Sequence, residues 1–274
     1  MGTFSNEERL AVVMTETYVI SDIHGYLNST RTLLQDIDLI GSDDTWTGGQ
    51  ASLWVLGDFF DHGPAGLEAV QLVRQLQAQA AAVGGKVGAL IGNHDILLLA
   101  AYRFGQKSST GSGGTFLTDW QESGGVESDL ANLTPEIAGW LANLPALALT
   151  RQALLAHADG IFYFRYGKTM TTVNRTIRRV LHSNDYNAWN CLLDDFGEHR
   201  AFLQYKTALE VFLDSYGGHR LVHGHTPISK ITNQPPETID SPFIYAGGRC
   251  INVDGGMYLG GSGCFYRLPD EEKR

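Results

Sequence analysis

The stretch "LWVLGDFFDHGP", Leu53 to Pro64, runs four apolar residues into Gly57 and then sets Asp58, Asp61 and His62 within five positions. A short apolar run closed by glycine reads as a buried strand. Beyond it, Leu67, Val70, Leu72, Val73 and Leu76 recur at helical spacing, and Pro64 fits a first helical turn. The same order of events occurs at "TYVISDIHGYLNS", which leads into Leu33, Leu34 and Ile37. It occurs again at "KVGALIGNHDILLLAAYRF", where a strand is expected over Lys86–Ile91. Three strand-to-helix units between residues 17 and 104 constrain the chain to the α/β class with a largely parallel sheet. In such sheets ligands collect beyond the carboxyl ends of the strands, where the polar residues stand here. A buried carboxylate is costly without a positive neighbour. Two of them beside an imidazole indicate a site.

Further along, "QKSSTGSGG" (106–114) reads as a flexible loop, either near the site or a plain surface connector, and "TPEIAGWLANLP" as a helix with Thr134 as its cap, Pro135 at its first position and Pro145 beyond its end. "ALALT" and "ALLAHADG" flank Arg151 and Gln152 as a hairpin that delivers His157 to a strand end. Residues 168–218 read as a mainly helical insert. "HRLVHGHTPI", "SPFIYAG", "RCINVDGG" and "GCFYRL" then form a run of short strands expected to make a second sheet. No linker separates these parts, so one domain over 1–274 is expected.

Composition narrows the function. The net charge of −10, with no cluster of Lys and Arg, argues against nucleic acid or an anionic membrane as partner and favours a cation as ligand. With 43% hydrophobic and 18% charged residues the chain is an ordinary soluble globular protein. Cys191, Cys250 and Cys264 lack CxxC spacing and read as reduced core residues. "MGTFSNEERLAVVM" has no apolar run of signal-peptide length, and Asn6 stands where a myristoylation motif needs Ser or Thr. No stretch reaches transmembrane length, so a cytoplasmic location is expected.

The strand ends collect Asp22 and His24, Asp58 and Asp61, Asn93 and His94, His157, and His225. All are metal-ligating or proton-transferring types. Mixed N and O donors without thiolate suit Zn²⁺, Mn²⁺ or Fe²⁺ in a catalytic site with open positions rather than a closed structural one. His182, His199 and His219 read as surface or structural residues, and His223 as structural. Asp254 either faces the site or begins a turn.

In order, "SDIHG", "GDFFDHG", "GNHD", "AHADG" and "HGHTP" resemble the motifs of the calcineurin-like metallophosphoesterases, in particular the serine/threonine phosphoprotein phosphatase branch of bacterial type. That pattern is GDxHG, GDxxDRG, GNHE, a later His in an HG or HA turn, and GHTP. The resemblance spans residues 17–227 and extends loosely to "INVDGG". It implies an α/β/β/α sandwich of two mixed sheets flanked by helices, and two divalent metal ions, Mn²⁺ first, with Fe or Zn as alternatives. Asp22 and His24 would hold one ion, Asp58 both, and Asn93, His157 and His225 the second. His94 would serve as general acid, oriented by Asp61. The implied reaction is hydrolysis of a phosphomonoester, in a phosphoprotein or a small molecule, by a bridging hydroxide. A nucleotide or dinucleoside polyphosphate hydrolase is the alternative enzyme. A low-turnover metal-containing binding module is the alternative from another class. Nothing in the sequence assigns an oligomeric state.

Three positions depart from the pattern. His62 stands where the Arg of GDxxDRG grips substrate phosphate, Ser21 replaces a glycine, and Asp95 replaces a glutamate. His62 and, from the helical insert, Arg175 (with Arg178 behind it) are the candidate substrate-binding residues.

Overall fold

Alternation along each strand divides the core into layers. The computed structural model describes residues 16–150 and 153–269; the N-terminal reading and the Arg151–Gln152 turn lie outside the described residues. In chain order the elements are β1 (Thr17–Ile20), α1 (Leu27–Asp36), β2 (Ser52–Val55), α2 (Gly66–Ala82), β3 (Lys86–Ala89), α3 (Asn93–Phe104), α4 (Phe116–Glu122), α5 (Glu127–Asn132), α6 (Pro135–Ala142), β4 (Leu147–Leu149) and β5 (Ala153–Ala156). They continue with α7 (Tyr163–Tyr166), α8 (Met170–Leu181), α9 (Tyr186–Phe196), α10 (Ala201–Gln204), α11 (Lys206–Tyr216), β6 (Arg220–His223), α12 (Ile228–Thr232), β7 (Phe243–Tyr245), β8 (Cys250–Asn252) and β9 (Tyr266–Arg267).

One sheet has the order β3-β2-β1-β9 and the other β4-β5-β6-β8-β7. β1, β2 and β3 are parallel, as are β5, β6 and β8, while β9, β4 and β7 run antiparallel to their neighbours. Val19, Trp54 and Leu56 of the first sheet share a buried cluster with Leu155, Val222 and Ile251 of the second. Their alternates, Ile20, Leu53 and Val55, Leu154 and Leu221, belong to the larger cluster that includes the helices. Strands covered on both faces must be apolar throughout, which is why the runs show no polar alternation. Each fully buried aliphatic side chain there contributes roughly 1.5–3 kcal/mol of transfer free energy. Two mixed sheets face to face, with helices outside, form the α/β/β/α sandwich that the resemblance implies.

Three local expectations are corrected. Pro64 precedes α2 rather than entering its first turn, because Gly63 N–H donates to His24 O (2.8 Å) and Ala65 N–H to Gly25 O (3.2 Å), holding 63–65 against the β1–α1 loop. "GCFYRL" does not join the second sheet: β9 pairs with β1 and covers the edge that β1 would otherwise expose. Cys191 is exposed on α9, whereas Cys250 and Cys264 are buried; all three thiols are free. No helix among the described residues is long and apolar enough to cross a membrane.

Candidate metal centre

The strand ends must reverse within a few residues, and small polar side chains stand where they do. Asp22, His24, Asp58, Asp61, His62 and His225 all have positive φ, from 47° to 71°. Asp, Asn and His tolerate this region better than other non-glycine residues, yet each such position costs on the order of 1–3 kcal/mol and persists only where its surroundings fix it. Asp95 does much of the fixing: its carboxylate accepts the backbone N–H groups of Asp58 (3.0 Å), Phe59 (2.9 Å) and Gly92 (2.9 Å). At two glycines the backbone must come close. A Cβ on Gly92 would collide with the Asp58 carboxylate, and one on Gly224 with Ser21 and Asp22. Ser21 donates its hydroxyl to Asp22 Oδ1, so a serine here braces the carboxylate beside it.

These turns bring six residues into one cluster. His24 Nδ1 donates to the Phe60 carbonyl (2.8 Å) and His157 Nδ1 to the Leu56 carbonyl (2.9 Å), leaving a bare lone pair on each Nε2 of the neutral rings. Those nitrogens lie 3.7 Å and 3.5 Å from Asp58 Oδ2. Asn93 Oδ1 is 2.8 Å from both His157 Nε2 and His225 Nδ1. The donor atoms of Asp22, His24 and Asp58 lie within 4.8 Å of one another, and so do those of Asp58, His157 and His225. Asp58 belongs to both groups.

The electrostatics fit cations. Burial first, then the neighbouring Asp254, raises the Asp22 carboxyl well above its ordinary range, and burial followed by Asp22 does the same to Asp58. Burial pushes His157 down to about 3 and holds His24 and His225 well below the usual imidazole range. Neutral imidazoles are the form that binds a metal, and crowded buried carboxylates need a positive charge. Lone pairs converging with no hydrogen between them, on His157 Nε2 and Asn93 Oδ1, are the kind of donors that could hold a divalent cation.

Beside the cluster, His94 Nδ1 donates to Asp61 Oδ2 (2.8 Å), and Asp61 Oδ1 accepts the Trp120 indole N–H (2.8 Å). The backbone N–H of His94 donates to Asp58 Oδ1 (2.9 Å), tying this pair to the shared carboxylate. His62 is exposed and stacks on Tyr258 (4.4 Å between ring centres, 13° between planes), with His24 5.0 Å away. Burial, and then His94, keep its imidazole below the ordinary pKa.

Arg175 is not brought to the cluster. It is exposed on α8, and among the described residues no hydrogen bond or ion pair joins it to the site; neighbouring Asn174 engages the backbone of Ala146 and Leu147 instead. His199, read as surface or structural, is exposed and stands 6.1 Å from the His225 ring. Arg200 beside it donates its backbone N–H to Asp159 (2.7 Å) and its guanidinium to the Lys230 carbonyl (3.1 Å). Asp254 is buried near Asp22, and burial raises it to about 7. His223 is buried against Tyr245, in a structural position. Of the two readings of the 106–114 loop, the structure gives the one near the site: with α4 and α9 it walls a cavity of about 210 Å³ that has Asn93 on its lining. Trp120, Tyr258, Lys230 and Arg200 escaped the sequence reading because none lies in a recognisable motif. Trp120 alone carried a signal, since a buried indole needs an acceptor and Asp61 was expected to be buried.

The calcineurin-like phosphoesterase family profile matches residues 16–229. The chain is similar to the symmetrical bis(5'-nucleosyl)-tetraphosphatases of Yersinia pestis (strain Pestoides F) and Yersinia pseudotuberculosis serotype O:1b, at 31% identity over 172 residues, covering 62% of this chain and 50% of each of theirs. It therefore spans about half the length of the curated relatives it matches. The crystal structure of the cold-active protein-tyrosine phosphatase of a psychrophile, Shewanella sp., superposes with a TM-score of 0.70 at 23% identity over 93% of this chain and 75% of that one. A protein serine/threonine phosphatase from Saccharomyces cerevisiae gives 0.57 at 12% identity, over 97% and 83%. These two share the fold. Because the profile covers most of the chain, including all five strand-end turns, the chain belongs to the calcineurin-like phosphoesterases, a family of hydrolases acting on phosphoester bonds.

Proposed function

We propose that the chain is a metal-dependent phosphomonoesterase, folded as one domain with 168–218 as a helical insert. The observation that carries this reading is the Asp58 carboxylate, common to two convergent donor groups and tied through the His94 backbone to a second His–Asp pair. Asp22, His24 and Asp58 would hold one divalent cation, and Asp58, Asn93, His157 and His225 another. Bound there, such a pair supplies Lewis acidity toward a phosphoryl oxygen and toward water.

The chain's own groups do the rest. Phe60 and Leu56 carbonyls fix the ring orientation of His24 and His157, so the donor set stands ready before substrate arrives. His94, in its protonated form, delivers a proton from Nε2 to the departing oxygen. Asp61 holds that ring by Nδ1 and carries its countercharge, and Trp120 keeps Asp61 aimed. Turnover of p-nitrophenyl phosphate with Mn²⁺, before and after chelation, tests this reading. Hydrolysis that stops on chelation and returns with metal supports it; no metal-dependent rate leaves only a binding module.

A second reading has its own support, because the 31%-identical relatives are named tetraphosphatases. Hydrolysis of a dinucleoside polyphosphate would use the same centre, water attacking one phosphorus of a P–O–P link and a nucleoside phosphate leaving with the bridging oxygen. A panel of phosphoserine peptide against diadenosine tetraphosphate separates a serine/threonine phosphatase from this alternative. The predicted compartment is the cytoplasm.

A further inference from the structure

Segments outside the five motifs build the mouth of the centre. Lys230, exposed on α12, donates to the Tyr258 hydroxyl at 2.7 Å, with its Nζ 5.2 Å from the ring centre. The Tyr258 ring stacks on His62 and stands edge-on to His24 at 4.9 Å. The Lys230 carbonyl in turn accepts the Arg200 guanidinium. Beneath them the floor is acidic, with Asp22, Asp58, Asp61 and Asp254 all buried. Among the described residues five buried side-chain polar atoms lack a hydrogen-bond partner, and four of them belong to Arg200, which bonds the Lys230 carbonyl, to Thr226 and Ser229 just before Lys230, and to Asp254, whose carbonyl accepts the Ile228 N–H: Arg200 Nε, Thr226 Oγ1, Ser229 Oγ and Asp254 Oδ2. Buried polar groups without a protein partner are where a ligand or an ordered water completes the set.

We propose that Lys230, positioned by Tyr258, grips the substrate phosphate and supplies the cationic contact that His62 does not. The proposal rests on the phosphoesterase reading and names part of its substrate site. A phosphate dianion entering over an acidic floor needs a positive charge at the rim. An imidazole offers one or two donors, not the planar fork of a guanidinium. A lysine ammonium has three donors. One is used on Tyr258, which leaves two for phosphate oxygens. The Tyr258 hydroxyl, accepting from Lys230, keeps its own proton to donate to the same anion. Stacking on His62 pins the tyrosine ring, so position 62 also contributes through Tyr258.

Lys230→Met, Lys230→Arg and Tyr258→Phe, made in the full chain and loaded with Mn²⁺, test it. The readouts are KM and kcat for p-nitrophenyl phosphate, the inhibition constant of inorganic phosphate, and the thermal shift that inorganic phosphate produces. Lys230→Met should raise KM and the phosphate inhibition constant together by about tenfold, the size of one charge-assisted hydrogen bond, with kcat changed less than about threefold and the thermal shift reduced. Lys230→Arg should keep both constants within about threefold, and Tyr258→Phe should raise both by a smaller factor than Lys230→Met. Constants unchanged in Lys230→Met overturn the proposal, and so does Lys230→Arg weakening phosphate as much as Lys230→Met. Absence of metal-dependent turnover in the unaltered chain overturns the phosphoesterase reading itself, whereas normal turnover with unchanged Lys230→Met constants removes the lysine alone.

Discussion

The floor of the site and its mouth are held by different means. On the floor, backbone groups fix the side chains: His24 and His157 donate to carbonyls, Asp22 accepts the His225 N–H, and Asp58 accepts the His94 N–H. At the mouth, side chains hold one another, His62 on Tyr258 and Tyr258 with Lys230. Backbone anchors survive most substitutions and preorganise the donor set. Contacts between side chains are lost one residue at a time. The floor therefore suits a fixed chemistry, and the mouth suits a specificity that varies between members of one fold.

The comparison breaks most sharply at Asp58. Asp58→Asn is expected to lower kcat/KM on p-nitrophenyl phosphate by about 10³-fold, or roughly 4 kcal/mol of transition-state stabilisation, because one change removes charge from both donor groups. His94→Asn comes next, with kcat on an alkyl phosphate falling about 10²-fold while bound metal, by elemental analysis, stays constant. The loss should be smaller on p-nitrophenyl phosphate, whose leaving group needs less protonation; equal losses on both would remove His94 from proton transfer.

Mouth changes should act on KM. His62→Arg is expected to lower KM by a few-fold, more at pH 8 than at pH 6. The sign follows from an imidazole losing its charge as pH rises, so arginine adds most at pH 8; burial and His94, which hold the imidazole below its ordinary pKa, narrow the contrast without reversing it. An identical KM ratio at both values would show that charge at position 62 is not sensed by substrate.

The division also explains what the sequence revealed. Floor residues sit just after apolar strands, and short-range order suffices to place them: Asp22, Asp58, Asn93 and His225 are each fixed within a few residues of a strand end. Even the left-handed conformations could be anticipated there, from Asp and His beside glycine. Mouth residues depend on long-range packing. Tyr258 meets His62 across 196 positions, and Lys230 meets Tyr258 only because α12 and the turn after β8 are neighbours. Arg175 had the right chemistry in the expected helical segment, but α8 packs on β4 and leaves it exposed. The placement of β9 was hidden for the same reason: a two-residue strand takes its partner from the open edge of β1 rather than from its own pattern.

Asp129 gives the smallest effect and a control for the floor. It is buried, belongs to neither candidate ligand group, accepts the Leu67 N–H at the start of α2 (3.3 Å), and has one oxygen without a partner. Burial raises it from 3.8 to about 6. A carboxyl raised on folding contributes stability that is full below about pH 4 and lost as pH climbs through 6. Asp129→Asn, which keeps an acceptor for Leu67, should match the unaltered chain at pH 4 and exceed it by about 1–2 kcal/mol at pH 8, read by urea unfolding of the metal-free protein. A difference independent of pH would contradict the assignment.

Metal counting tests the central claim most directly. Purified protein loaded with Mn²⁺ and freed of excess should hold two ions per chain, and Asp58→Asn should lose both or retain one weakly, because both groups share that carboxylate. A stoichiometry of one in the unaltered chain, or two ions held as tightly after Asp58→Asn as before, would contradict it.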